Sequence, residues 1–246
     1  MAYTTVNNSK QNMNTKRWVG NASNQTISGI GFQPDFAIMK KIENSSSGNF
    51  IMQSSSQGLS TYISSNVNTA QSTSVSNAIT SFNSDGYVIG NLGTINGNGD
   101  AFCSWNWKAD GAGSSNSDGT ITSTYTSPNT TADFSVVTFT GTGATATVGH
   151  GLGKKPAMIW IKVLNNTDDW NVWMGNKDSD QIGLLNESSG FYTPGDATIN
   201  GSTTTTDVIG LGSGSPANRS GAPIVAYCWA EIPGYSKFNT YIGNGS

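Results

Sequence analysis

One histidine, two cysteines and a charged fraction of 11% leave this 246-residue chain short of what most enzymes and nucleic-acid binders are built from. With so few imidazoles and thiols, zinc has too few soft ligands. The charged fraction is well under the roughly 25% of an average soluble protein, so neutral Ser, Thr, Asn and Gly carry the solubility. The net charge is −3 and there is no basic run; a phosphate backbone is held by clustered Lys and Arg, which argues against nucleic acid as a partner. No apolar stretch approaches the ~20 residues of a membrane-spanning helix. The opening residues, Met1-Ala2-Tyr3-Thr4-Thr5-Val6-Asn7-Asn8, lack the basic start and apolar centre of a secretory signal. The reading is a protein made in a cytosol, unprocessed and not inserted in a membrane.

Catalytic motifs are also missing. The only imidazole, His150, lies inside Gly149-His150-Gly151-Leu152-Gly153 and reads as a turn residue rather than a general base, and no Gly-x-Ser-x-Gly elbow exists. Gly153-Lys154-Lys155 resembles the end of a phosphate loop, but Pro156 replaces the required Ser or Thr and Val148 stands where the first glycine belongs. No Gly-x-Gly-x-x-Gly joins a strand to a helix. Asp168, Asp169, Asp178, Asp180 and Glu187 are the candidates for the paired acids of glycoside hydrolysis; set among Asn and Gly, they read as solvent-exposed turn residues. Asp178-Ser179-Asp180 falls short of the spaced oxygens calcium needs. The expectation is no catalytic residue, no metal and no cofactor.

What the chain does have is itself, twice. Pro34 precedes Phe36-Ala37-Ile38-Met39 and Lys40; Pro156 precedes Met158-Ile159-Trp160-Ile161 and Lys162, 122 residues later. The same offset carries Asp85 onto Asp207, Trp105 onto Tyr227 and Trp107 onto Trp229, so one register spans both halves. Val88-Ile89-Gly90 answers Val208-Ile209-Gly210 with a slip of two, as loop-length variation would produce. Pro34, Lys40, Asp85 and Trp107, with Pro156, Lys162, Asp207 and Trp229, are therefore expected to be structural. A third echo, Tyr241-Ile242-Gly243-Asn244-Gly245-Ser246, resembles Trp18-Val19-Gly20-Asn21-Ala22-Ser23, as if another copy were about to begin.

The pattern is that of strands. Phe36-Ala37-Ile38-Met39 and Met158-Ile159-Trp160-Ile161 are apolar runs of the kind buried on both faces. Phe102-Cys103-Ser104-Trp105-Asn106-Trp107 alternates, with Cys103, Trp105 and Trp107 on one face; Ile224-Val225-Ala226-Tyr227-Cys228-Trp229 repeats the pattern, with Tyr227 and Trp229 inward. Between the runs stand Asn83-Ser84-Asp85-Gly86, Asn96-Gly97-Asn98-Gly99-Asp100, Asn116-Ser117-Asp118-Gly119 and Gly212-Ser213-Gly214-Ser215-Pro216, whose residues suit tight turns. The fold class is all-β: two related half-repeats forming antiparallel β-sandwich or jelly-roll units. The divisions are an extended N-terminal arm over 1–14, a first repeat over 15–125 and a second over 126–246. The stretch from Lys108 to about Thr131 is the linker, with Ile121 and Tyr125 as possible strand residues. Cys103 and Cys228 are not repeat equivalents and read as buried free thiols. Among the aromatic residues Trp160 reads as core. Trp170 and Trp173 fall on opposite strand faces, so at most one need be buried, and Trp173 is the candidate exposed platform for a sugar.

Asn14-Thr15-Lys16 with Trp18-Val19-Gly20-Asn21, then Gly31-Phe32-Gln33-Pro34-Asp35, Ser81-Phe82-Asn83-Ser84-Asp85-Gly86-Tyr87, Trp105-Asn106-Trp107-Lys108-Ala109, Gly149-His150-Gly151-Leu152-Gly153 and the run from Ala226 to Phe238 resemble the repeating module of marine bacteriophage virion structural proteins. The resemblance covers nearly the whole chain. It implies a concanavalin-like β-sandwich without catalytic residues, used in tail fibres, other appendages or the outer capsid. It further implies a protein on the virion surface, made in the host bacterial cytoplasm. Its partners would be other virion proteins, copies of itself with a trimer favoured, and host surface glycans. This chain has one duplicated unit where relatives often have several.

Overall fold

The computed structural model describes residues 4–43, 48–73, 75–195 and 198–244. The first unit runs β1 (Met13–Val19), β2 (Gln25–Ser28), β3 (Phe36–Lys41), β4 (Ile51–Ser54), β5 (Ile63–Ser64), β6 (Ile79–Asn83), β7 (Gly86–Ile89), one helical turn α1 (Gly93–Asn96) and β8 (Ala101–Trp107). The second runs β9 (Tyr125–Asn129), β10 (Phe134–Thr140), β11 (Ala146–Gly149), β12 (Met158–Val163), β13 (Asn171–Met174), β14 (Gly183–Leu184), β15 (Val208–Leu211), the turn α2 (Ser215–Asn218) and β16 (Pro223–Trp229). Each unit has a large antiparallel sheet. The order is β1-β8-β3-β4-β5 in the first and β10-β16-β12-β13-β14 in the second, where β9 is added outside β10. Smaller sheets, β2-β7-β6 and β11-β15, lie apart from these.

The duplication holds through the two large sheets. Phe36 pairs with Trp107 and Met158 with Trp229; Lys40 pairs with Cys103 and Lys162 with Val225. The expected slip of two at β7 and β15 is not there. Gly86 faces Ser28 as Val208 faces Gly149, and Ile89 faces Gln25 as Leu211 faces Ala146. Gly90 N–H donates to Ala78 C=O, as Gly212 N–H donates to Thr198 C=O. Val208-Ile209-Gly210-Leu211-Gly212 contains two apolar-then-glycine steps, so a letter match can settle on the wrong one; hydrogen-bond register cannot.

Three cores result. Trp18, Ile27, Met39, Tyr87 and Phe102 fill the first unit, while Phe139, Val148, Ile159, Trp173 and Ile209 fill the second. A third joins the units, with Phe36, Ile38 and Met52 of the first against Val136, Tyr227 and Trp229 of the second. The apolar run of β3 is explained by this: Ala37 and Met39 face the first core, Phe36 and Ile38 the shared one. A fully buried side chain of this size contributes about 1.5–3 kcal/mol.

Two asparagines, of which Asn96 was expected only as a turn residue, fix equivalent corners. Asn96 and Asn218 are fully buried. Asn96 donates from Nδ2 to the carbonyls of Ser23 (2.6 Å) and Gly90 (2.7 Å) and accepts from Asn21 N–H (3.0 Å). Asn218 donates to Ala144 (2.6 Å) and Gly212 (3.0 Å) and accepts from Thr142 N–H (2.9 Å). Each satisfies buried backbone groups that the chain cannot pair with itself.

The arm differs from expectation. Its described part is not extended throughout: Ser9–Gln11 form a 3₁₀ turn capped by Asn8, before β1 begins at Met13. Asn12 accepts Lys108 N–H on its carbonyl (2.9 Å) and Asn129 Nδ2 on its side chain (3.1 Å), which ties the segment to its own chain. The linker contributes β9, beginning at Tyr125, and Ile121 bridges in parallel to Val148.

Candidate functional site

Alternation along β8 turns Phe102 into the first core and Trp105 and Trp107 toward the second unit. On β12 the same parity sends Ile159 inward and Met158 and Trp160 toward the first unit. Where the two large sheets meet, aromatic rings close part of the seam. Phe36 stacks on Tyr227 with centroids 4.3 Å apart and on Phe134 at 5.7 Å. Farther along, the seam opens. Trp107 and Trp160 each stand edge-on to Trp229, at 6.3 and 4.9 Å.

On one side of Trp107 and Trp160 lies an apolar cleft of about 360 Å³, lined by Ile38, Phe50, Trp105 and Leu185 with Ser65 and Asn66 as its polar members. On the other lies a cleft of about 530 Å³, walled by Met13, Met158, Trp229, Tyr235 and Phe238. Trp107 and Trp160 line both, so the two adjoin and make one tryptophan-rich groove. Trp105, Trp107 and Trp160 are all half-buried and present ring surface to it. They stand on sheet strands, which fixes their spacing without a ligand.

The sequence candidates fall elsewhere. Trp173 is not an exposed platform: only 2% of it is accessible. It packs in the second core, donates from its indole to Ser179 C=O and lies under Lys155 Nζ. Trp170 does face the opposite way, yet it too is fully buried, in the shared core, where it donates to Ser64 C=O of the first unit (2.9 Å). Parity separated the two rings correctly, but each face of β13 has its own core. Trp160 is half-buried rather than core, and so is Trp107; Trp229 is buried. Cys103 and Cys228 are both free thiols, with Cys103 only half-buried.

The paired structural residues keep equivalent places with different contacts. Pro34 and Pro156 each stand two residues before their strands β3 and β12. Lys40 Nζ donates to Gly48 C=O and sits over the Phe50 ring. Lys162 is fully buried and donates to the carbonyls of Val163 (2.7 Å) and Asn166 (2.9 Å). Burial pulls its ammonium down to about 8, against the opposing charges of Asp168 and Asp169. Asp85 accepts from Gly31 N–H (2.6 Å) and Gly29 N–H (2.8 Å), which lowers its pKa. Asp207 instead accepts from the Thr206 hydroxyl.

His150 has both nitrogens engaged: Nδ1 accepts from Leu152 N–H (3.2 Å) and Nε2 reaches Thr205 C=O (3.3 Å). It is buried, and desolvation lowers its pKa. Asp168 is held by Arg219 in a two-pronged ion pair, and Asp169 accepts from Asn186 Nδ2. Among the described residues no three His, Cys, Asp or Glu side chains come together as a metal site would require, and no helix is long and apolar enough to cross a membrane. The cleft of about 490 Å³ beside Lys154, Lys155 and Lys237 has its cations engaged, by Asp133, the Gly201 carbonyl and Glu231 respectively.

A family model described as "Domain of unknown function (DUF7483)" matches residues 8–246. No curated protein and no solved structure matches.

Proposed function

The chain belongs to the DUF7483 family, and we propose that it is a non-enzymatic structural protein of a bacteriophage particle. In this reading it is displayed on the surface as part of a tail fibre or appendage, where it adheres to host glycans. Two supports of different kinds bear on this. The sequence motifs resemble virion modules. The single structural observation that carries adhesion is the groove, in which Trp105, Trp107 and Trp160 offer rigid ring faces suited to the apolar faces of sugar rings, with Asn66 and Ser65 at hand for hydroxyls.

Titration of purified host surface polysaccharide, followed by tryptophan fluorescence, tests it. Trp105→Ala and Phe50→Ala are each expected to weaken binding at least about tenfold, the loss a stacking hot spot gives, with the far-UV spectrum retained. Two variants that bind like the parent would remove the groove from adhesion.

The second reading, a capsid decoration or cement protein that binds only other virion subunits, has its own support. Tyr241 and Ile242 are exposed together near the chain's end, and uncovered apolar pairs of this kind suit a protein partner better than a sugar.

A further inference from the structure

In the second unit the outer edge of β11 is covered by the linker. Ile121 N–H donates to Thr147 C=O (2.8 Å), and Thr147 N–H donates to Thr120 Oγ1 (2.9 Å). Ile121 pairs in parallel with Val148, and its side chain enters the second core. The first unit's equivalent strand is β2: Thr26 and Ile27 stand opposite Val88 and Tyr87 as Thr147 and Val148 stand opposite Gly210 and Ile209. Among the described residues β2 pairs with β7 alone. Thr26 and Ser28 are exposed while Ile27 is buried in the first core. Among the described residues the same edge is therefore filled in one unit and open in the other.

A segment matching the filler is present elsewhere. Ile121 lies 14 residues after Trp107 and Ile242 lies 13 after Trp229, in Gly119-Thr120-Ile121 and Thr240-Tyr241-Ile242 respectively. Asn176 Nδ2 holds Asn239 (2.8 Å), and beyond that point Tyr241 and Ile242 are 93% and 98% exposed. The tail stands to the second unit as the linker stands to the first. Its acceptor is accordingly a unit that follows the second, and another copy of the chain provides one.

We infer that Thr240-Tyr241-Ile242-Gly243 of one copy lies along β2 of a second copy, with Ile242 N–H donating to Thr26 C=O and its side chain beside Ile27. The contact is head-to-tail, so it closes into a ring or extends as a filament. Neither segment carries a charged side chain, so the association is insensitive to salt. The inference does not rest on glycan binding.

Sedimentation equilibrium of the full chain tests it. The parent's average mass should rise with loading concentration, equally at low and high salt. Ile242→Asp puts a charge where the tail's apolar side chain packs, and Thr26→Pro sets a ring carbon where an outward N–H stood, which blocks strand addition at an edge position where proline is tolerated; each variant should sediment as a single chain. Mixed together, the two retain one intact tail and one intact edge and should form a one-to-one pair. That pair also shows both variants to be folded. A parent that stays a single chain at every concentration, variants that associate like the parent, or a mixture that does not pair would each overturn the inference.

Discussion

Lys162 shows how a side chain at one repeat position can be asked for something its counterpart is not. Lys40 keeps partial exposure, whereas Lys162 is sealed under the turn after β12 with its ammonium on two carbonyls. Its pKa is about 8 in the fold against 10.5 for the free group. Below pH 8 both states hold the proton and the desolvated charge weakens the fold. Between 8 and 10.5 the unfolded chain keeps a proton that the folded chain has lost, so the Lys162 contribution to stability rises with pH. Tyr87, Tyr227 and Cys228, whose buried neutral forms are favoured, act in the opposite direction at high pH. Comparison with Lys162→Met cancels them. Denaturant unfolding at about pH 7.5 and about pH 10 is expected to show the parent gaining on the variant; a constant difference would contradict the assignment.

At the scale of elements, the linker is held by close backbone approach. A Cβ on Gly119 would lie 2.6 Å from the Thr147 carbonyl carbon and 2.7 Å from Val148 Cα, with no flexible side chain to give way. Gly119→Ala should lift the segment off β11, and hydrogen exchange at Ile121 and Thr147 should quicken while the amides of β12 and β16 keep their protection. Unchanged exchange at Ile121 would mean the segment is held by something else. Strands of this kind were legible from sequence wherever one local pattern sufficed. Alternation in β8 placed Trp105 and Trp107 on one face, and the unbroken apolar runs of β3 and β12 announced cover on both sides. The register of β7 and β15 was not legible, because glycine repeats within β15 offer two letter matches. Nor was the groove: whether Trp160 or Trp173 meets solvent depends on how two sheets abut, and neighbouring residues say nothing of that. Asn96 and Asn218 were hidden among turn-forming asparagines, although the 122-residue register that pairs them was already in hand.

For the molecule as a whole, the shared core decides cooperativity. Beyond the apolar contacts, Tyr227 Oη donates to Gln57 (2.7 Å) and the Trp170 indole to Ser64 C=O, both across the boundary between units. Chains of this length often unfold through intermediates, yet here neither unit can lose its large sheet without exposing the other's. A single calorimetric transition is expected, with calorimetric and van't Hoff enthalpies equal; two resolved transitions would show that the shared core couples the units weakly. The edge contact between Trp107 and Trp229 carries one further consequence. These are the same position in the two units, so equivalent residues meet across the seam. Its two flanks have since diverged: Phe36 closes on Tyr227 on one flank, but the counterpart contact would join Met158 to Trp105, and there the slimmer methionine leaves Trp105 half-exposed. The seam is thus uneven about that contact, and under the proposed reading a glycan held in the groove is expected at one molecule per chain.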